Sequence, residues 1–144
     1  MLIDLITDKN VALVGPSSFL DNKNMGKLID SFDIVIKINR FEDLSPNDHG
    51  KKVDILFHNF SLAVPDKSIA NRNTKLIVTT RSFSDERRRK KKKQKENITN
   101  SKKINKIPHE LYPVEELTED IENFIKYDKE TKKTAGLWII GLLF

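Results

Sequence analysis

The chain contains no cysteine. A disulfide scaffold, a thiolate metal centre and a cysteine nucleophile are therefore excluded. Histidine is scarce as well: His49, His58 and His109 are isolated in sequence. A zinc site would need at least two of them to meet by folding, with carboxylate help, and nothing in the sequence supports that. No D-x-D tripeptide occurs, so the usual carboxylate bridge between a divalent cation and a diphosphate is missing. With only five glycines the chain has no G-x-G-x-x-G, and no G-K-[ST] follows Gly15. The dinucleotide fingerprint and the P-loop both fail on that count, and Asn39 stands where the fingerprint wants an acidic residue for the ribose. Long apolar runs are lacking too. Gly136 to Phe144 (GLWIIGLLF) would make about 14 Å of helix, under half a bilayer. The opening MLIDLITDKN is acidic where a signal peptide is basic.

What is present is enough for one domain. The chain has 144 residues, 38% of them hydrophobic and 33% charged, which builds a core and excludes wholesale disorder. Its net charge of +5 is unevenly spread. Segment 81–95 holds nine Lys and Arg against Asp85 and Glu86, a net of +7, and leaves 17 basic and 19 acidic residues elsewhere. One segment makes the protein basic, and the body is slightly acidic.

Four short apolar runs read as buried strands: Val11 to Gly15 (VALVG), Asp33 to Asn39 (DIVIKIN), Val53 to Phe57 (VDILF) and Lys75 to Thr80 (KLIVTT). A short helix is predicted over Asp21 to Asp30, capped by Asp21 or Asn22, and a turn through Pro46 to Gly50. Residues 84–107 are basic and then rich in Asn, Lys and Ser, and they read as a long, mobile low-complexity loop. Val114 to Tyr127 carries apolar residues at helical spacing, and a Thr134-Ala135-Gly136 turn opens the final apolar run. A core helix ending on Leu142-Leu143-Phe144 would leave its neighbours uncovered, so we expect a single partial domain over 1–144, incomplete at its C-terminal side. Strands interleaved with helices imply an α/β fold with a mostly parallel, Rossmann-like sheet and flanking helices. Such sheets bind ligands beyond the carboxyl ends of their strands.

That rule selects the candidate site residues. Gly15, Ser17 and Ser18 form a small-residue turn after the first strand, able to offer N–H groups and hydroxyls to a phosphate, although Pro16 removes one donor. Asn39 and Asn59 follow the second and third strands, and each amide offers two donors and an acceptor without adding charge. Each alone would read as a turn cap. Together with the Ser-rich and Thr134-Ala135-Gly136 turns they point to a nucleotide pocket. Phe83, Tyr112 and Tyr127 read as packing residues, and the sequons at Asn59 and Asn97 carry no weight in an Asn-rich chain.

The stretch VALVGPSSFLDNKNMGKLIDSFDIVIKINRFE resembles the large motif of sialyltransferases of glycosyltransferase family 29. Val14, Gly15, Ser17, Leu20, Gly26, Ile29, Asp30, Asp33, Val35, Lys37, Ile38 and Asn39 fall in register with it, and Gly50 to Asp54 through His58-Asn59 continues it. Lys133 to Trp138 is similar to the start of the family's small motif. Pro16 stands where many members have Asn, Lys133 where Pro is usual, and Ala135 where a hydroxyl residue is usual. Family 42 sialyltransferases, with an Asn after the second and third strands, are the nearest rival.

The resemblance implies inverting, metal-independent transfer of sialic acid from CMP-sialic acid to a glycan hydroxyl, with no separate cofactor. Gly15, Ser17, Ser18, Asn39, Asn59, Thr134, Ala135 and Gly136 would line the donor site, and the general-base histidine would lie beyond Phe144. No membrane span is expected in this chain, which reads as soluble and cytoplasmic, or as Golgi if an N-terminal anchor is missing from it. The competing reading is an inactive remnant that binds nucleic acid or another anion through Arg87, Arg88, Arg89, Lys90, Lys91, Lys92 and Lys93. No aromatic residue interleaves with those charges to stack on bases.

Overall fold

The structure, a computed structural model, describes residues 1–39, 41, 43–60, 73–81 and 88–113. They build helix α1 (Leu2–Ile6), strand β1 (Val11–Val14), a 3-10 turn (Ser18–Leu20), α2 (Gly26–Asp30), β2 (Ile34–Ile38), α3 (Pro46–His49), β3 (Ile55–Phe57), β4 (Leu76–Arg81), α4 (Arg88–Asn105) and β5 (His109–Pro113). The five strands form one sheet in the order β1-β2-β3-β4-β5, every neighbouring pair parallel. This is a Rossmann-like α/β fold. The four strands expected from apolar runs are all present.

Alternation along the strands separates two faces. Ile34, Ile36 and Ile38 of β2 join Ile55 and Phe57 of β3, Leu76 and Val78 of β4, and Leu2 of α1 on one face. Val35 turns to the other face, against Ile29 of α2 and Val14, while Leu56 and Ile77 meet Ile98 of α4. With strands in sequential order, connections of the usual right hand all fall on one face, which is where α2 and α4 pack.

Several elements depart from expectation. The helix expected from Asp21 begins only at Gly26, because Asn22 and Asn24 take left-handed backbone (φ 61° and 55°) that interrupts a helix. The turn at Pro46 tightens into α3, with Pro46 at its first position and Gly50, at φ 73°, closing it. The segment expected as a loop over 84–107 contains the 18-residue α4. Lys, Arg, Gln and Glu are strong helix formers, and a composition that looks low in complexity still propagates a helix once part of it is anchored. The expected helix over 114–127 and the Thr134-Ala135-Gly136 turn lie outside the described residues.

Two glycines make opposite predictions. A Cβ on buried Gly26 would collide with the Pro46 and Asn47 carbonyl groups, where α2 and α3 touch. A Cβ on Gly15 meets no described atom within 4 Å, and Gly15 lacks a positive φ. Gly26→Ala is therefore expected to destabilise the protein by about 1–3 kcal/mol in urea unfolding. Gly15→Ala should leave stability unchanged or raise it by under about 1 kcal/mol.

Candidate functional site

Parallel pairing brings three candidate segments to one rim. The register sets Val14 beside Lys37, Lys37 beside Leu56 and Ile38 beside Phe57, so the residues that follow β1, β2 and β3 leave the sheet side by side. Gly15, half-buried, opens the β1 turn. Ser17 is exposed and its Oγ accepts the Phe19 N–H at 3.2 Å, capping the 3-10 turn that begins at exposed Ser18. Asn39 takes left-handed backbone (φ 54°), which Asn tolerates better than most side chains. Its own N–H donates to the Phe57 carbonyl at 2.7 Å, and its Oδ1 accepts the Asn59 N–H at 3.1 Å. Asn39 and Asn59 are thus joined, and with Oδ1 as acceptor the two Nδ2 hydrogens of Asn39 remain as donors.

Beneath this rim lies a support that the sequence reading did not single out. Lys37 is 1% exposed, and its ammonium donates to the carbonyls of His49 and of Gly50, the latter at 3.4 Å. These carbonyls close α3, where a cation is favoured. His49, equally buried, places Nε2 3.1 Å from the Ser17 carbonyl. A carbonyl only accepts, so Nε2 carries a proton; Nδ1 is buried and without a partner among the described residues. Asp48 Oδ1 accepts the Asn24 N–H at 2.9 Å. One four-residue helix thereby ties down the turn after β1 and the loop before α2. The available signal was Lys37 itself: a lone cation inside DIVIKIN must find buried acceptors.

The β3 end is fixed from α4. Gln94 Nε2 donates to the Asn59 carbonyl at 2.7 Å and Asn97 Nδ2 to the Phe60 carbonyl at 2.9 Å. Phe60 is fully buried at φ 53°, an unusual conformation for an aromatic residue, and its N–H donates to His58 Nδ1 at 3.0 Å. His109 lies beside the Phe60 ring, with Nδ1 2.6 Å from the Ile107 carbonyl and Nε2 3.0 Å from Ser101 Oγ. The carbonyl fixes the proton on Nδ1, so the serine hydroxyl donates to Nε2. All three histidines are therefore engaged in hydrogen bonds that hold the fold. Among the described residues no three His, Asp or Glu side chains gather as a metal site. No described helix is long and apolar enough to cross a membrane.

An all-parallel sheet with a small-residue turn after its first strand and joined asparagines after the next two defines a Rossmann-like protein, a class that binds ligands at the carboxyl ends of its strands. Residues 8–106, more than two thirds of the chain, match the family model of glycosyltransferase family 29 (sialyltransferase), and the chain belongs to that family. The match contains the large-motif resemblance and Asn59, and stops before Lys133 to Trp138. No curated protein matches the chain.

Two shifted groups, His109 and Asp48, contribute to the pH response. Burial holds His109 below the ordinary histidine value, against the Ile107 carbonyl that favours its charged form. A histidine depressed in the folded state is destabilising once the unfolded chain begins to take up protons, so stability should fall as pH drops below about 6.5. Asp48 is held below the usual carboxylate range, first by the Asn24 N–H and against its own burial, with the Asn22 N–H and the Ser45 hydroxyl assisting. Its contribution is present above about pH 4 and is lost as pH falls further. Urea midpoints measured from pH 7.5 to 3 should show both declines, with His109→Gln flattening the upper one and Asp48→Asn reducing the lower, to which Asp33 and Glu110 also contribute.

Proposed function

We propose that this chain forms the donor half of a sialyltransferase site that takes CMP-sialic acid and serves inverting, metal-independent transfer to a glycan hydroxyl. The observation that carries this reading is the Asn39–Asn59 pairing beside Gly15, where a side chain would meet no described atom within 4 Å. A nucleotide seated there would meet the Asn39 Nδ2 donors, the hydroxyls of Ser17 and Ser18 and the N–H groups of the β1 turn. Thr134, Ala135 and Gly136 complete the donor site in this proposal. As the glycosidic bond breaks, negative charge grows on the departing phosphate. Fixed N–H and hydroxyl dipoles stabilise that charge better than the spread charge of the bound donor, which is what lowers the barrier. Anchoring Ser17 through His49, and Asn39 through Asn59, keeps those dipoles from reorganising during the step.

The acceptor hydroxyl must lose a proton, and the three histidines of this chain are already committed to the fold. By the resemblance to the family the base belongs to a later motif, and the proposal assigns it to no residue of this chain. Without a positioned base the rate falls by about 10²- to 10⁴-fold. The isolated chain is expected to bind CMP and transfer sialic acid at that reduced level.

Calorimetric titration with CMP tests the reading. Binding should persist in EDTA and disappear in Asn39→Gly, which keeps the left-handed backbone and removes the amide. Gly15→Ala should weaken CMP binding at unchanged stability. Absence of CMP binding by the unaltered chain, or equal binding by Asn39→Gly, would overturn it.

A further inference from the structure

Phe19 takes no part in the core. Of the described large apolar side chains it is the most exposed, at 78%, and the other exposed ones, Met1, Ile3, Leu28 and Leu111, are aliphatic. A phenyl ring left in water forgoes burial that would favour folding, yet the turn that carries it is firmly built. Ser17 Oγ accepts the Phe19 N–H, the Asp21 N–H donates to the Ser18 carbonyl at 3.0 Å, and the Ser17 carbonyl is held by buried His49. Leu20 packs against the cluster of Val14, Ile29 and Val35. Successive positions of a 3-10 turn differ by about 120°, so the turn that directs Leu20 inward directs Phe19 outward. The ring is presented to solvent on a fixed support.

The place of that support gives the ring a use. The turn follows β1 and so stands at the carboxyl rim, beside the strand that ends at Asn39. Phe19 comes directly after Ser18, whose hydroxyl the donor reading sets on the phosphate. Neighbouring Cα atoms are about 3.8 Å apart, so a side chain at this position reaches the groups bonded to that phosphate before it reaches the base, which lies beyond the ribose. Two sugars are bonded there. Ribose is small and carries hydroxyls on its free edge. Sialic acid is a six-membered ring whose C–H groups and N-acetyl methyl offer an apolar surface of the kind a phenyl face covers. We infer that Phe19 is a platform for the sialosyl ring of the donor, a specificity residue that holds the group to be transferred and leaves the nucleotide to Ser17, Ser18 and Asn39. This role rests on the donor reading above. The ring brings neither charge nor hydrogen-bonding group, so it adds contact without competing for the phosphate.

Calorimetric titrations of the full chain with CMP and with CMP-3-fluoro-sialic acid, a donor analogue whose fluorine slows transfer, test the assignment. In Phe19→Ala the affinity for the analogue should fall by about five- to twentyfold, as expected for exposing one face of a phenyl ring, while that for CMP changes by less than about twofold. Phe19→Tyr keeps the ring and should retain at least about half of the unaltered chain's affinity for the analogue. A side chain this exposed contributes little to stability, so the urea midpoint of Phe19→Ala should match that of the unaltered chain and the loss cannot be assigned to unfolding. An unchanged affinity for the analogue in Phe19→Ala, a loss in Phe19→Tyr as large as in Phe19→Ala, or an equal loss for CMP and the analogue would each overturn the inference, the last by placing the ring on the nucleotide. All three leave the donor reading standing. If the unaltered chain binds neither compound, the donor reading falls and the role of Phe19 falls with it.

Discussion

Parallel pairing is the constraint from which the rest of the molecule follows. When five strands run the same way and succeed one another in space as they do in sequence, every strand must deliver its chain to the same edge before crossing back. The β1 turn, Asn39 and Asn59 are separated by up to 44 residues in the chain but by one or two strand spacings at that rim. The same rule sends α4 backwards across the sheet and leaves its basic beginning beside them. No one residue was placed at the rim by local preference; the ladder placed them all.

The rim is then made rigid by polar groups taken from water. Lys37 is one of these, a cation lying in the sheet itself, and it is accommodated because α3 turns two carbonyls toward it. The same α3 offers His49 to the Ser17 carbonyl and Asp48 to the Asn24 N–H. These contacts tie the β1 turn and the loop before α2 to one short helix. On the far side of the rim, α4 plays the matching part for β3, and it does so with amides and one isoleucine rather than with an apolar stripe.

That difference explains what was legible in the sequence. The core strands were readable because burial on both faces demands unbroken runs of Val, Ile and Leu, and the strand-end rule then led directly to Gly15, Ser17, Asn39 and Asn59. The pattern in α4 was not readable as helix because its inward positions, Gln94, Asn97, Ile98 and Ser101, keep helical spacing but are mostly polar, so a search for apolar periodicity passes over them. β5 escaped notice for a related reason: His109 to Pro113 carries a charge, a ring nitrogen and a terminal proline, suited to the last described strand of the sheet and not to its centre. α3, at four residues, is set by contact with α2 and by the Lys37 ammonium, and neither influence is visible locally.

Amide chemical shifts followed while CMP is added to the isotope-labelled protein address the central claim most directly. Perturbations should concentrate at Gly15, Ser17, Ser18, Asn39 and Asn59, with weaker effects relayed to His49. Silence at those amides, or changes gathered at the opposite edge around Asn10, Asp33 and Asp54, would contradict the account.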